Sequence, residues 1–254
     1  MTPATVLNTR PPLATYEDLS RMVDYAIVSP EASEDSVSQA CDRARQQRVG
    51  RVTVRPSDLD LVSRWMDASG ISVGAVVSYP HGTDTTAVKL YSVRDAIRRG
   101  AKVIETVLSP ARMISRQFRY LESEFVQMTQ ECHRAGVELV VDLEMGWLSD
   151  DLKVIACKIA RRTEVDQVRP FSLYGPAGSS AAQDLALLTA KLGDLVKVAA
   201  PWPDSWEAAR EAHAAGVSGF QTTDPAPLLA AWSGELKRRA EEAAKAAVPG
   251  PAVG

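Results

Sequence analysis

The chain lacks several features that would assign it to a specialised class of protein. It has no apolar run approaching about 18 residues, the length of a membrane-spanning helix, and no N-terminal basic segment followed by an apolar stretch. Its three cysteines lie far apart, so they fit neither a disulfide framework nor a zinc site. We therefore expect a soluble, cytoplasmic protein whose cysteines are buried and reduced.

Motifs for nucleotides, nucleic acids and metals are also missing. The formal net charge of −3 argues against the concentrated basic surface of nucleic-acid-binding proteins. Neither a Walker motif nor a G-x-G-x-x-G motif occurs, and no His/Asp/Glu cluster has metal-ligand spacing. We therefore predict no nucleic-acid partner, no membrane contact, no cofactor and no metal.

Strand-like and helix-like segments alternate along the 254 residues. The runs VGAVV (73–77) and VELVV (137–141) are almost continuously apolar, which is typical of parallel strands covered on both faces. Eight such units predict an α/β fold, a single-domain (β/α)8 TIM barrel, for which about 250 residues is usual. The predicted strands span residues 22–28, 50–55, 72–79, 102–108, 137–144, 165–169, 195–200 and 217–222.

Helix patterns and end signals agree with this alternation. Apolar residues at three- and four-residue steps predict helices near 115–135 and 148–159. Ser33 precedes an acidic first turn, and Gly100 and Gly136 follow helical patterns as C-terminal stops.

Composition divides the chain into three parts. We predict a flexible N-terminal segment (1–14), one barrel domain (15–240) and a flexible C-terminal tail (241–254) that begins as a fraying helix.

Five separated segments resemble the deoxyribose-phosphate aldolases, in the order in which that family has them. The resemblance covers about residues 18–223 and implies an aldolase barrel. VDYAIVSPEAS (23–33) resembles the family's D-H-T-L-L-K-P-E-A-T, and SYPHGTDTTAVK (78–89) resembles G-F-P-L-G-x-N-T-T-x-V-K. The other three segments are GAKVIETV (100–107), VVDLEMGWLSDD (140–151) and LVKVAAPWP (195–203).

The family's catalytic residues are only partly matched. In the family, an Asp on the fourth strand handles protons, a Lys on the sixth forms an imine with the substrate, and a Lys on the seventh perturbs that lysine. The matching positions here hold Glu105, Arg169 and Lys197. Arg169 cannot form an imine, because a guanidinium stays protonated.

This pattern makes Lys197 the candidate imine-forming residue and Glu105 the candidate acid/base. Arg169 would then lower the pKa of Lys197 or clamp a substrate carboxylate. We expect the three side chains on neighbouring strands, pointing inward near the C-terminal rim and paired with one another, since isolated buried charges are costly. A purely structural ion pair is the alternative for Glu105.

Four residues on the predicted catalytic side are candidates for substrate contact. Asp24 and Glu144 match acidic family positions that we expect at the ends of strands one and five. Arg55 stands where the family has Asn and would add a cation near the mouth, and His81 lies in the loop after strand three. Structural roles are the alternative for Asp24 and Glu144.

The phosphate subsite departs from the family. A Gly-Gly pair is replaced by Pro201–Trp202, which removes one backbone donor and adds bulk. Gly175, Gly178, Ser179 and Ser180 retain some donors, but the changes disfavour a sugar phosphate. Tyr174 and Trp202 are further candidates for substrate contact and indicate a pocket less polar than a sugar-phosphate site.

These features favour a metal-independent aldolase-like lyase that forms or cleaves a C–C bond next to the carbonyl of a small molecule, divergent from cleavage of 2-deoxyribose 5-phosphate. One alternative is a non-imine lyase, isomerase or cyclase of specialised metabolism, in which Arg169 and Lys197 stabilise an anionic intermediate. Another is a catalytically inactive paralogue that binds a metabolite or a partner protein. The sequence does not name the substrate, and it is compatible with a homodimer.

Overall fold

The computed structural model describes residues 11–175, 181–193 and 195–246. Eight parallel strands close into a barrel in sequential order, with β8 paired back to β1. At least one helix follows each strand, which confirms the predicted (β/α)8 barrel. The strands are β1 (Val23–Ile27), β2 (Arg51–Val54), β3 (Ser72–Val77), β4 (Val103–Val107), β5 (Glu138–Asp142), β6 (Gln167–Arg169), β7 (Lys197–Pro201) and β8 (Val217–Thr222).

The helices of the described part form the outer layer of the barrel. Short 3-10 turns occur at Pro56–Asp58 and Met145–Trp147. The α-helices are α1 (Tyr16–Ser20), α2 (Glu34–Gln47), α3 (Leu59–Trp65), α4 (Thr86–Arg98), α5 (Pro110–Ile114), α6 (Phe118–Arg134), α7 (Asp150–Arg162), α8 (Ala181–Leu192), α9 (Trp206–Ala214) and α10 (Ala226–Ala246).

Helix ends follow the local sequence signals. The Ser33 side chain accepts a hydrogen bond from the Ser36 amide and caps α2. Gly100 and Gly136 have φ values of 103° and 67°, which end α4 and α6 in a conformation that favours glycine. The helix predicted near 115–135 begins at Phe118.

The two ends of the chain are only partly described. Residues 1–10 of the predicted N-terminal segment and 247–254 of the predicted tail lie outside the described residues. Helix α10 continues past the predicted domain end at residue 240 as far as Ala246. Arg238 on this helix pairs with Glu235 and Glu242, contacts that favour an exposed helix.

Apolar side chains fill the space between strands and helices. The three cysteines are buried and free. Burial raises the pKa of Cys41 and Cys157 to about 11 and that of Cys132 to about 12, so all three stay as thiols near neutral pH. In the described part of the chain, no helix has the length and apolar content needed to cross a membrane.

The inside of the barrel differs from the usual pattern. Most TIM barrels fill this space with layers of branched aliphatic side chains. Here several buried positions on the strands carry charges or amides, among them Glu105, Asp142, Arg169 and Gln221. Since such groups are costly to bury, their arrangement identifies the candidate site.

Candidate active site

Arg169 lies at the centre of the polar barrel interior. It is the last residue of β6, and its side chain is only 2% exposed. Its Nε is 2.6 Å from Asp142 Oδ1, its Nη1 is 3.3 Å from Asp24 Oδ2, and its Nη2 is 2.5 Å from Glu105 Oε1. The guanidinium therefore faces three carboxylates, which come from β5, β1 and β4.

Two neutral side chains complete this arrangement. Gln221 Nε2 donates to Glu105 Oε2 at 3.0 Å and to Asp24 Oδ2 at 3.3 Å. The Thr53 hydroxyl donates to Asp24 Oδ1 at 2.7 Å. We call the six residues the interior cluster: Asp24, Thr53, Glu105, Asp142, Arg169 and Gln221.

Burial changes the protonation of the cluster. It raises the pKa of Glu105 to about 8, with Arg169 opposing the shift and the carboxylates of Asp142 and Asp24 adding to it. Burial also raises the pKa of Asp142, against the effect of Arg169. We infer that Glu105 holds a proton near neutral pH.

The hydrogen-bond inventory supports this inference. Within the described residues, Glu105 Oε1, Asp142 Oδ2 and Arg169 Nη2 are buried and have no hydrogen-bond partner. Arg169 Nη2 and Glu105 Oε1 thus lie 2.5 Å apart without the geometry of a hydrogen bond. When Glu105 carries a proton, its carboxyl can donate a hydrogen bond to Asp142. This hydrogen bond is one of the causes that lower the pKa of Asp142, against the larger effect of burial.

A pH dependence of stability follows from the raised pKa of Glu105. From pH 4.5, the ordinary pKa of a glutamate, to about pH 8, Glu105 keeps its proton in the folded protein and loses it in the unfolded chain. Raising the pH through this window therefore favours unfolding. We expect the wild-type protein to lose stability relative to Glu105→Gln from pH 5 to pH 8, as measured by urea unfolding. Parallel pH profiles for the two proteins would contradict a raised Glu105 pKa.

The predicted position of Lys197 is wrong. Lys197 is the first residue of β7 and therefore lies at the N-terminal end of the barrel, away from the C-terminal rim. Its side chain is 55% exposed, and its Nζ is 2.8 Å from Glu138 Oε1. It forms no ion pair with Glu105. Of the three side chains predicted to meet, the structure brings together Glu105 and Arg169.

Strand register explains this correction. Lys197 pairs with Gln167, and Val198 with Val168, across β6 and β7, so Lys197 stands level with the residue two positions before Arg169. Each residue advances a strand by about 3.3 Å, and successive side chains point to opposite faces. A displacement of two residues thus keeps Lys197 on the inner face but moves it towards the N-terminal end.

The four acidic and basic candidates for substrate contact have different positions. Asp24 is the second residue of β1, not at its C-terminal end as predicted, and it belongs to the interior cluster. Glu144 follows β5 with a left-handed φ of 51°, and its Oε1 accepts a hydrogen bond from the Ser172 amide at 2.8 Å. Glu144 thereby fastens the loop after β6.

Arg55 does not present a free cation at the mouth. Its Nε is 2.6 Å from Asp58 Oδ2, and its terminal nitrogens donate to the carbonyls of Ser29 and Ala32, both at 2.8 Å. These contacts hold the loop between β1 and α2.

The other candidates lie around a pocket of about 480 Å³ at the C-terminal end of the barrel. His81, Glu144 and Tyr174 line it, and the Tyr174 ring packs edge-on against Tyr79 at 5.8 Å. Trp202 is not among the lining residues; its ring packs edge-on against Phe220 at 6.2 Å. Of the predicted aromatic contacts, only Tyr174 is in this pocket.

Tyr79 lies near both the pocket and the interior cluster. Leu173 in the loop after β6 donates to its hydroxyl at 3.3 Å. Burial raises the pKa of Tyr79, and the charges of Glu105 and Asp142 raise it further. Tyr79 therefore stays neutral and remains able to donate a hydrogen bond.

Sequence reasoning missed Thr53, Asp142 and Gln221. Asp142 had the clearest signal, since it directly follows the apolar run 139–141 at the end of β5. Gln221 is one of three polar residues in the largely buried strand β8. Among the described residues, no group of three or more His, Cys, Asp or Glu side chains is placed to hold a metal ion.

Comparisons with known proteins agree with this architecture. No family model matches the chain. It is 31% identical over 186 residues to the deoxyribose-phosphate aldolase of Bacteroides thetaiotaomicron, covering 73% of this chain and 78% of that protein. The deoxyribose-phosphate aldolase of Rhodopirellula baltica is 28% identical over 185 residues, covering 73% and 76%.

Solved structures show the same fold. The tetrameric deoxyribose phosphate aldolase from Aeropyrum pernix superposes with a TM-score of 0.78 at 21% identity, covering 88% of this chain and 94% of that one. The aldolase QR15 gives the same TM-score and identity, covering 88% and 98%.

Proposed function

We propose that this protein, which belongs to the deoxyribose-phosphate aldolase family, is an aldolase-type lyase that acts on a small carbonyl compound without an imine in the barrel interior. The observation that carries the proposal is that Arg169, which the resemblance aligns with the family's imine lysine, faces three buried carboxylates. In the described part of the chain, the buried lysines Lys89 and Lys153 lie on outer helices and pair with Glu124 and Asp184.

The interior cluster contains the groups that an imine-free retro-aldol reaction needs. A carboxylate of the cluster takes the proton of the substrate's β-hydroxyl. The electron pair of the breaking C–C bond then moves towards the substrate carbonyl and forms an enolate. Arg169 supplies the positive charge that stabilises the enolate oxygen, and protonated Glu105 supplies the proton that completes the second product.

Substrate binding requires a rearrangement of this cluster. Each nitrogen of the Arg169 guanidinium is already within 3.3 Å of a carboxylate oxygen. A substrate oxygen must therefore replace one of these contacts.

Because each nitrogen of the Arg169 guanidinium already lies beside a carboxylate, a second function is also favoured: a protein that binds a metabolite without converting it. In that case, the cluster is a structural ion network. An isomerase or cyclase that uses Arg169 to stabilise an anion is chemically close to the imine-free lyase, and it differs in leaving the carbon chain of the substrate intact.

Turnover assays separate these functions. β-Hydroxy aldehydes and ketones, with and without a phosphate group, are incubated with the purified protein, and cleavage and isomerisation products are identified by mass spectrometry. We expect cleavage products, whereas isomerised substrate alone would favour the isomerase. Saturable binding without either product would favour the metabolite-binding protein.

Glu105→Gln tests the acid/base role. It preserves the shape of the side chain and removes its transferable proton, so we expect kcat to fall by about 10²-fold or more. Glu124→Gln is the matched control, because Glu124 is equally buried but pairs with Lys89 between α4 and α6. We expect it to reduce stability with little effect on kcat. Equal losses of kcat in the two variants would contradict the role given to Glu105.

A further inference from the structure

A second cavity opens at the N-terminal end of the barrel, opposite the rim that carries the C-terminal pocket. Its volume is about 610 Å³, which lies within the usual range for small-molecule sites. Arg169, Asp24 and Gln221 of the interior cluster form its inner end, together with Gln167. The cavity therefore leads from solvent to the central guanidinium.

The rim of this cavity concentrates positive charge. Arg51 and Lys197 are the first residues of β2 and β7, while Arg21 and Lys102 come just before β1 and β4. Glu138, the first residue of β5, is the one carboxylate of the rim among the described lining residues. Four cations gather here although the whole chain has a formal net charge of −3.

The internal contacts leave much of this charge uncompensated. Glu138 is shared, because its Oε1 is 2.8 Å from Lys197 Nζ and its Oε2 is 2.9 Å from Arg51 Nη2. Arg51 also lies 3.8 Å from Asp24 Oδ2, a carboxylate shared with Arg169, and donates to Gln167 Oε1 at 3.2 Å. Arg21 donates to the backbone carbonyl of Gly70 at 3.2 Å, and a carbonyl carries no full charge.

Lys102 is the least constrained of the four rim cations. It is exposed and forms no ion pair within the part of the chain that the structure describes. Together, the four side chains surround a concave space from several strands. Such an arrangement raises the local concentration of anions and suits a ligand that bridges opposite sides of the rim.

We propose that the N-terminal cavity is a binding site for a small polyanion, a compound with at least two negative charges carried by phosphate or carboxylate groups. A dianion reaches two sides of the rim at once, whereas a monoanion replaces only the interaction that Glu138 already provides. The volume of about 610 Å³ suits a small molecule. This site is distinct from the C-terminal pocket and does not depend on the proposed lyase activity.

Calorimetric titration of the full chain with two probes tests the site. Pyrophosphate represents phosphate ligands and citrate represents carboxylate ligands. We expect saturable binding of at least one probe, weakened by added salt because part of the rim is exposed. The probe that binds more tightly identifies the preferred anionic group.

Two double variants separate this site from general charge effects. Lys102→Gln/Lys197→Gln removes two rim cations, and we expect the Kd to rise by about tenfold or more. Lys237→Gln/Lys245→Gln removes the same charge from the exposed face of α10, and we expect the Kd to stay unchanged. Lys102→Gln alone, which breaks no ion pair among the described residues, provides the test if the first double variant does not fold.

Three results would overturn the proposal. The first is no saturable binding of either probe up to about 10 mM. The second is an unchanged Kd in the rim variants. The third is equal weakening in the rim and α10 double variants, which would show a response to net charge alone.

Discussion

Replacement of Arg169 by leucine is expected to lower the free energy of unfolding by at least about 3–5 kcal/mol. The variant keeps Asp24, Glu105 and Asp142 buried but removes the cation that all three face. The carboxylates must then take up protons, find water or repel one another. Because the folded variant would bind protons more tightly than the unfolded chain, the loss should grow as the pH rises.

Urea unfolding of the wild type and its variants at pH 5 and pH 8 measures this effect. Arg116→Leu is the control, since Arg116 is a largely exposed arginine paired with Asp151. We expect it to change stability little at either pH. Addition of Glu105→Gln and Asp142→Asn to Arg169→Leu should restore part of the loss. If Arg169→Leu behaved like Arg116→Leu, the interior cluster would not be an interdependent charge network.

The purified protein is not expected to cleave 2-deoxyribose 5-phosphate at about 1 per second or faster. This expectation rests on the resemblance, which implies that Arg169 stands at the family's imine-lysine position and that Pro201–Trp202 replaces the glycines of the phosphate subsite. A coupled assay for the aldehyde product measures this directly, and turnover at the stated rate would show that our account of the site is wrong.

Arg169→Lys should recover little of this activity. The new ammonium would lie among Asp24, Glu105 and Asp142, and nearby negative charge raises the pKa of a lysine. A protonated amine cannot attack a carbonyl, so the substitution restores the residue type without restoring its reactivity.

Borohydride trapping tests the earlier hypothesis of an imine at Lys197. With a carbonyl compound and borohydride, we expect no more adduct on the Lys197 peptide than on the peptide of exposed Lys237, because Glu138 keeps the Lys197 ammonium paired. A Lys197 adduct that substrate suppresses and Lys197→Ala abolishes would revive the imine mechanism. Lys197→Arg adds a second criterion, since arginine keeps the charge but cannot form an imine.

The barrel itself was predictable because local patterns repeat along the chain. Apolar runs such as 73–77 and 137–141 identified buried parallel strands, and Gly100 and Gly136 marked helix ends. Each signal lies within one strand or helix, so it can be interpreted without knowledge of the neighbours. Glu105 and Arg169 were also correctly expected to pair inside the barrel.

The position of Lys197 shows where this approach fails. A lysine in a strand-like segment is compatible with either end of the strand, and only the register with Gln167 decides which end it occupies. Asp24 was misplaced in the same way, at the wrong end of β1.

By itself, the sequence determined the fold class and the order of the strands, and its resemblance to the family placed Arg169 where a lysine is expected. Tertiary structure alone decided that Arg169 meets Asp24, 145 positions away, and that Gln221 reaches Glu105, 116 positions away. It also decided that four rim cations meet at the N-terminal end. The physical reason is that barrel closure and strand register, which depend on packing of the whole chain, set these neighbours.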